Sequence, residues 1–536
     1  MSLRLPDNPV APVLGRIDAY LDHWAAIQPD SEFLIDGGPS ITGRRLTWAQ
    51  TRVAVDSVAA ALMAAGMERG DRVAYLSDSR LDFFVHFLAA TSIGLIWQGL
   101  NPKYTWSEVS YVVADAGPRI VFDGVPAGSN GLANRLVAEI DGVERCIAVD
   151  TAEWVDFEGA GTVIHADALA ERRAEVQPMD PGFIVYTSGS TGRPKGALLT
   201  HRGVCWCGVT GSTARGAGNE KILCNLPVNH VGSVSDICCR KMVAGGAIVF
   251  QERFDPALVL ATIAEERIGV WGGVPTMFQL CTAHPDFAEA DLSSVRQLAW
   301  GGAAMPAPVL ERLLAATDVE RCTTGYGMSE TTGGVFCTPP GADMDMILNT
   351  VGVPIPGHEF RIMAADDRMA EPGESGEIQV RGDWIMAGYW NRPEATAEAI
   401  DAEGWLHTGD LVVMRPDGCL RIVGRMSEMF KTGGYNAYPR EIEICLEDHP
   451  AVRIAAVVGV RDPVFDEVGH AFVVAEPGTD AEALRDHCRE RLANYKVPKM
   501  VHLRDALPML AVGKIDKKSL KAEAEAEAEA TALLEG

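Results

Sequence analysis

The chain has 536 residues, 47% hydrophobic and 22% charged, and its 47 Lys and Arg stand against 73 Asp and Glu for a net charge of −26. That length exceeds what a single hydrophobic core supports, so two or more domains are expected. The acidic balance excludes a general binder of nucleic acid or anionic membrane, whose affinity comes from basic surface, so any anionic ligand has to meet a local positive pocket.

The first twenty residues, MSLRLPDNPVAPVLGRIDAY, lack a continuous apolar core and carry Arg4, Asp7 and Arg16, so they do not read as a secretory signal. No run of about 18 apolar residues occurs anywhere, and no integral membrane association is expected. LTWAQTRVAVDSVAAALMAAG (46–66) has helical apolar spacing and ends on Gly. DRVAYL then reads as a buried strand, RLDFFVHFLAATSIG as a helix and RIVFD as another strand. Such alternation predicts a parallel sheet with crossover helices.

At 184–201 stands IVYTSGSTGRPKGALLTH. An apolar strand runs into a loop, and a helix is expected from near Thr200. Ser188, Ser190 and Thr191, with the N–H groups around Gly189 and Gly192, can surround phosphate oxygens, and Lys195 adds a point charge. The string is not G-x-x-x-x-G-K followed by Ser or Thr, so the commonest nucleotide loop is excluded.

A second set of short apolar strands follows in KILCNL, AIVF, GVWGGVP and VRQLAWGGA, with helices between them. From about residue 350 short strands separated by Gly, Pro and Asp turns predict a small β-barrel-like subdomain, to about 424. After a boundary at 425–428 the pattern is α/β again to about 520. KAEAEAEAEA (521–530) is polar on every face and is expected to be an exposed or frayed helix. Twelve Cys, among them Cys205, Cys207, Cys238 and Cys239, show neither zinc nor disulfide-framework spacing, and read as reduced, buried thiols of a cytoplasmic protein.

YTSGSTGRPKG resembles the phosphate loop of the adenylate-forming superfamily, which holds acyl-CoA synthetases, luciferases and peptide-synthetase adenylation domains. Four further motifs match in that family's order: GYGMSE (325–330), TGD (408–410), GRMSEMFKTGGYNAYPREIE (424–443) and GKIDK (513–517). The resemblance spans about 45–520. It implies an α/β fold: a large N-terminal domain (1–424) of two mostly parallel sheets with flanking helices plus the β-barrel-like part, and a small mobile α+β C-terminal domain (429–520).

The activity implied has two half-reactions. A small-molecule carboxylic acid attacks the α-phosphate of ATP, giving acyl-adenylate and pyrophosphate, and the thiol of CoA then displaces AMP. By resemblance, Thr187, Ser188, Gly189, Ser190, Thr191, Gly192 and Lys195 hold phosphates, and Glu330 carries Mg²⁺, a hard cation that prefers oxygen. Gly302, Ala303 and Ala304 form the adenine slot with Gly325, Tyr326, Gly327 and Met328, while Ser329 meets the α-phosphate. Asp410 and Arg425 meet the ribose. Lys514 bridges carboxylate and phosphate as the catalytic cation.

His230 taken alone reads as a buried, hydrogen-bonded histidine; the resemblance makes it the gate of an acyl pocket drawn from Asn229, Val231, Val234, Met277, Trp300 and Gly333. Gly433, Gly434 and Tyr435 line the pantetheine tunnel when the C-terminal domain rotates about Ser427. Three departures stand out: Ser427 replaces the family's Asp or Lys, Asn229 replaces an aromatic, and LPMLAVGK lacks the Arg-Thr and Ser common before the lysine. An aryl, cyclic or short-to-medium-chain acid is expected. Open alternatives are an enzyme that loads a carrier protein, a luciferase-like oxygenation and a non-catalytic nucleotide binder. Nucleic acid is not an expected partner; a homodimer is the default.

Overall fold

The computed structural model describes residues 9–37, 43–125, 131–187, 193–509 and 515–535. The chain divides into two compact units, one of residues 1–359 with 380–406 and the other of 360–379 with 407–536.

The first unit contains two sheets. In the nine-stranded sheet a parallel centre runs Arg321–Met328, Gln297–Gly301, Val270–Gly273, Ile222–Cys224, Ile248–Phe250, Glu32–Asp36. Antiparallel strands Gly333–Cys337 and Arg45–Thr47 flank it. In the seven-stranded sheet Arg72–Leu76 lies between Ile96–Leu100 and Ile120–Asp123, all parallel, and Pro181–Thr187 continues the order beyond Ile96–Leu100. The expected alternation of strand and crossover helix is therefore present.

Helix Leu81–Ser92 explains how the two sheets share one interior. It is buried along its whole length, with Asp82 paired to Arg44 at 2.9 Å and apolar side chains on most of the rest of its surface. Phe83 meets Phe250 of the nine-stranded sheet at 5.4 Å, and Phe87 meets Phe183 of the seven-stranded sheet at 5.4 Å, both edge-to-face. The helix is thus a wedge of aromatic rings, and each ring pair adds about 0.5–1.5 kcal/mol beyond its buried area.

One local expectation is corrected. The helix expected from near Thr200 is present as His201–Ala214, but a strand that the sequence reading did not separate, Lys195–Thr200, stands before it. Pro181–Thr187 and Lys195–Thr200 are antiparallel partners, with Thr187 opposite Lys195. The helix His201–Ala214 begins only after the second strand, capped by the Thr200 hydroxyl on Gly203 N–H. Its N-terminus is therefore a full strand away from Lys195. The hydroxyl-rich spacing disguised the second strand, because KGALLT is short and follows directly on the loop.

Most of a four-stranded sheet ordered Glu359–Met363, Ser375–Arg381, Leu406–Met414, Leu420–Arg425 falls in the second unit. The barrel-like part is thus a sheet with two edge strands. A further five-stranded sheet centres on the long antiparallel pair Val452–Asp462 and Asp466–Ala475. Helices Pro439–Glu447 and Ala481–Arg491 bury Ile442, Leu446 and Leu484 in one core with Ala455 and Val457.

The C-terminal helix Lys517–Glu535 is not polar on every face. Leu520 and Ala524 are buried with Val458, Val460, Phe472 and Leu507. Four-residue spacing places Ala524 one turn beyond Leu520, and alanine there allows the helix to lie close to the sheet. The low-complexity repeat concealed this stripe, because an alanine face carries almost no hydrophobic contrast. Ala524→Glu, which buries an unpaired carboxylate, is expected to destabilise this unit by about 2–3 kcal/mol; Ala526→Glu on the exposed face stays within about 0.5 kcal/mol. Urea denaturation of the two variants distinguishes them.

Candidate active site

Glu330 is the centre of the arrangement in the first unit. It lies on the short turn Ser329–Thr331 after strand Arg321–Met328 and is 5% exposed. Tyr389 OH donates to its Oε1 at 2.8 Å, and Thr187 Oγ1 donates to the same oxygen at 3.3 Å. The Met386 N–H donates to the Glu330 carbonyl at 2.8 Å. Lys195 Nζ lies 5.2 Å from the Tyr389 ring centre, over its face. A strand end, a turn and a further strand therefore converge on one carboxylate, and the lysine lies over the ring of the tyrosine that bonds it. Burial, then the Glu330 charge, raises the Tyr389 phenol well above its ordinary value, so it stays a donor.

The hairpin is braced from outside. Tyr111 OH donates to Pro194 O at 3.0 Å, the Trp390 N–H to Gly196 O at 2.7 Å, and strand Gly388–Tyr389 pairs with Leu198 and Ala197. Asp115 ties Tyr186 OH (2.8 Å) and Arg392 (2.6 Å) together. Residues Ser188, Gly189, Ser190, Thr191 and Gly192, which the motif assigns to phosphate, lie outside the described residues, as does Lys514.

Gly325, Tyr326, Gly327, Met328 and Ser329 occupy the strand end and turn. A Cβ on Gly327 would stand 2.1 Å from Gly333 O, so only glycine fits that crossing. The Thr331 hydroxyl accepts from Met328 N–H (2.8 Å) and donates to Gly333 O (2.7 Å), which shapes the turn. Thr332 has φ 62°, a strained value for a β-branched residue. Two bonds hold it there: Thr332 Oγ1 to Trp384 O at 2.7 Å and Ser235 Oγ to Thr332 O at 2.6 Å. Gly302, Ala303 and Ala304 form an exposed turn after strand Gln297–Gly301, whose Gly301 pairs with Gly325.

The residues assigned to the acyl pocket separate into two groups. Asn229, Val231 and Val234 belong to one segment with Gly333 beside it. Asn229 Nδ2 donates to Tyr104 OH at 2.6 Å, the Gly334 N–H donates to Asp236 Oδ1 at 3.3 Å, and His230 Nδ1 accepts from Gly232 N–H at 3.0 Å. Val231 and Val234 are buried. Gly232–Cys239 is π-helical, a rare form frequent at functional sites. Trp300 instead packs in the core with Trp271, Leu298 and Met305, and Met277 is half-buried on helix Pro275–Ala283.

In the second unit Asp410 and Arg425 face each other across Leu406–Met414 and Leu420–Arg425, with Arg425 Nε 2.5 Å from Asp410 Oδ1. Thr408 Oγ1 donates to Ile378 O (2.6 Å) and Gly409 N–H to Glu377 Oε1 (3.0 Å), fixing the turn. Gly433 and Gly434, with φ 56° and 86°, are the two central residues of a hairpin between Phe430–Thr432 and Tyr435–Ala437. Two positive φ values in a two-residue hairpin require this pair, independently of any ligand. Tyr435 is exposed and stacks on Tyr495 at 4.8 Å. Ser427 lies in the exposed turn Met426–Glu428. Lys517 Nζ joins Glu428 (2.6 Å) to Glu443 (2.7 Å), and Glu443 also accepts from Val457 N–H at 3.0 Å.

Sequence reading missed Tyr389, Asp236 and Tyr104. Only the position of GYWNRP, just beyond a β-rich signal, could have hinted at the first. Asp236 lies four residues before Arg240, a spacing that reads as a plain helix pair; Arg240 Nε donates to the Asp236 carbonyl at 2.6 Å, while the carboxylate faces Gly333 and Gly334.

The AMP-binding enzyme family matches residues 21–390, and its C-terminal domain matches 441–514. A 7a-methyl-1,5-dioxo-octahydroinden-4-yl propanoyl CoA ligase of Mycobacterium tuberculosis is 36% identical over 523 residues, covering 95% of this chain and 99% of its own. A feruloyl-CoA synthase of an Amycolatopsis species is 35% identical over 489 residues, covering 89% and 94%. The crystal structure of an anthranilate CoA ligase with anthranoyl-AMP has the same fold, with a TM-score of 0.85 at 23% identity over 97% of this chain and 99% of that one. The chain belongs to the AMP-binding enzymes of the adenylate-forming superfamily, within its acyl-CoA ligases. Among the described residues no helix is long and apolar enough to cross a membrane.

Buried histidines give the first unit a pH signature, and burial pushes one of them, His86, down to about 3. Burial pushes His358, against Trp384 at 4.3 Å, and His201, which accepts from Ile17 N–H, down to about 4. Unfolded histidine titrates near 6.5, so between about 6.5 and 4 the unfolded chain binds more protons. Stability is therefore fully present above pH about 6.5 and falls as pH drops towards 4. Urea midpoints measured from pH 8 to 4 are expected to follow that course, and a profile flat down to pH 4 contradicts it.

Proposed function

We propose that the chain is an ATP-dependent acid–CoA ligase acting on an aryl, cyclic or short-to-medium-chain carboxylic acid. The observation that carries the reading is the convergence of Thr187 and Tyr389 on the Glu330 carboxylate, with Lys195 over the face of the Tyr389 ring. A carboxylate held beside the strand end that leads into a hydroxyl-rich motif, with Lys195 at the start of the next strand, suits a triphosphate and its counter-ion. The names of the two ring-acid relatives favour the aryl and cyclic classes.

In the first half-reaction a carboxylate oxygen of the acid bonds to the α-phosphorus and pyrophosphate leaves. Phosphoryl transfer of this kind needs positioning and charge neutralisation more than covalent help. Lys195 and the loop hold the β- and γ-phosphates, Ser329 the α-phosphate, Tyr326 and the Gly302–Ala304 turn the adenine, and Asp410 with Arg425 the ribose. Lys514 neutralises charge developing between carboxylate and phosphate. Glu330 and Thr187 present hard oxygen donors that fit Mg²⁺, which when bound neutralises phosphate charge. In the second half-reaction the CoA sulfur bonds to the acyl carbon and AMP leaves, with Gly433, Gly434 and Tyr435 beside the pantetheine arm and Ser427 as hinge. Asn229 and Asp236 add polar groups to an otherwise apolar pocket drawn from Val231, Val234 and Gly333, with His230 as gate.

Pyrophosphate release across a panel of acids is the test. Release that requires an acid and continues over many turnovers only with CoA is expected. Release that stops near one turnover with or without CoA assigns a carrier protein as acceptor, and none with any acid removes the ligase reading. Lys514→Ala is expected to slow adenylation by several kcal/mol while sparing thioester formation from supplied acyl-adenylate. Glu330→Gln should lower kcat/KM for pyrophosphate release by about 10²-fold, about 2.7 kcal/mol, with a melting temperature near that of the parent.

A further inference from the structure

Cys224 ends the strand Ile222–Cys224, and Cys238 lies on the π-helical stretch Gly232–Cys239. Both side chains are fully buried, and their sulfurs are 3.7 Å apart. That is van der Waals contact; a disulfide needs a sulfur–sulfur distance of about 2.05 Å, so a shift of under about 2 Å joins them. The i→i+5 repeat of a π-helix stacks Ser233 one repeat before Cys238. The Ser233 hydroxyl accordingly lies 3.5 Å from Cys224 Sγ, and the Ser79 hydroxyl lies at 3.5 Å as well.

This surrounding separates the two thiols chemically. Burial pushes Cys224 up, but its contacts with Cys238, Ser233, Ser79 and the Leu226 N–H outweigh it and hold Cys224 below the ordinary thiol value. Burial and the neighbouring sulfur push Cys238 well above that value. One sulfur is thus the nucleophile and the other the resolving thiol.

We propose that Cys224 and Cys238 form an oxidation site at which a peroxide produces an intramolecular disulfide. The Cys224 thiolate attacks a peroxide oxygen, the O–O bond breaks, and a sulfenic acid and hydroxide form. The Cys238 sulfur then bonds to the sulfenic sulfur and displaces hydroxide, which leaves as water with the thiol proton. Two thiols and one hydrogen peroxide give one disulfide and two waters.

The bridge closes residues 224–238, which include Asn229, His230, Val231 and Val234. The same helix bonds the site turn through Ser235 to Thr332 O and through Asp236 to Gly334 N–H. Drawing Cys238 onto Cys224 therefore moves the acyl-pocket segment and its contacts together. This consequence for activity rests on the ligase reading; the oxidation site itself does not.

The test incubates the full-length protein with hydrogen peroxide, alkylates free thiols under denaturing conditions and maps peptides by mass spectrometry. A Cys224–Cys238 cross-link 2 Da below the dithiol is expected, with at least a tenfold, dithiothreitol-reversible loss of pyrophosphate release. Oxidised glutathione, too bulky for a buried pair, should leave both thiols free. Cys238→Ser should form no cross-link and retain its activity in peroxide. Two free thiols in peroxide-treated wild-type protein, or sulfur paired elsewhere, overturn the proposal. A mapped bridge with unchanged activity overturns its control of the pocket. If no acid supports pyrophosphate release before oxidation, the ligase reading fails, while the peptide map still decides the oxidation site.

Discussion

A carboxylate taken out of water has to be compensated, and the Glu330 site is built around that requirement. Leaving one buried charge without partners costs several kcal/mol. Here the compensation comes from Thr187 and Tyr389, which belong to segments about 140 and 60 residues away in sequence. Each partner also carries structure with it: Thr187 the root of the hairpin, Tyr389 the strand that pairs beyond it. Satisfying one side chain therefore sets the relative positions of three segments at the strand ends of the first unit.

The scaffold behind this junction is rigid for a separate reason. The fully buried helix Leu81–Ser92 packs its phenylalanines against both sheets, so neither sheet can move without opening an aromatic cavity. Strain is then affordable at the turn that follows Glu330. Thr332 keeps its left-handed backbone because Trp384 and Ser235 hold it from two sides. The π-helical segment that supplies Ser235 also supplies Asp236 and Cys238, and so connects the glycine turn, the segment of Asn229 and His230, and the thiol pair.

The second unit solves a similar problem with charge. Asp410 and Arg425 neutralise each other across neighbouring strands. Glu443, itself buried, gathers Lys517, Arg440 and the Val457 N–H. Lys517 thereby ties the start of the C-terminal helix to Glu428 in the turn that holds Ser427. A short stretch of exposed turn is anchored at one end by ion pairs in this way.

Local chemistry made much of this legible in the sequence. Apolar periodicity identified the strands around Arg72–Leu76 and Ile120–Asp123 and the buried helix between them, because pattern and burial are the same fact seen twice. Five ordered motifs identified the family, since their glycines and hydroxyls occupy positions that backbone geometry restricts, as Gly433, Gly434 and Gly327 show. Tertiary structure alone decided the rest. Tyr389 has no local signal because its role is a bond to a carboxylate 59 residues distant. The pairing of Pro181–Thr187 with Lys195–Thr200 and the buried face of the C-terminal helix depend on what packs against them. Trp300 entered the core with Trp271, while Asn229 found Tyr104 across the chain. Periodicity and motif report a residue's neighbours along the chain, and these partners are neighbours only in space.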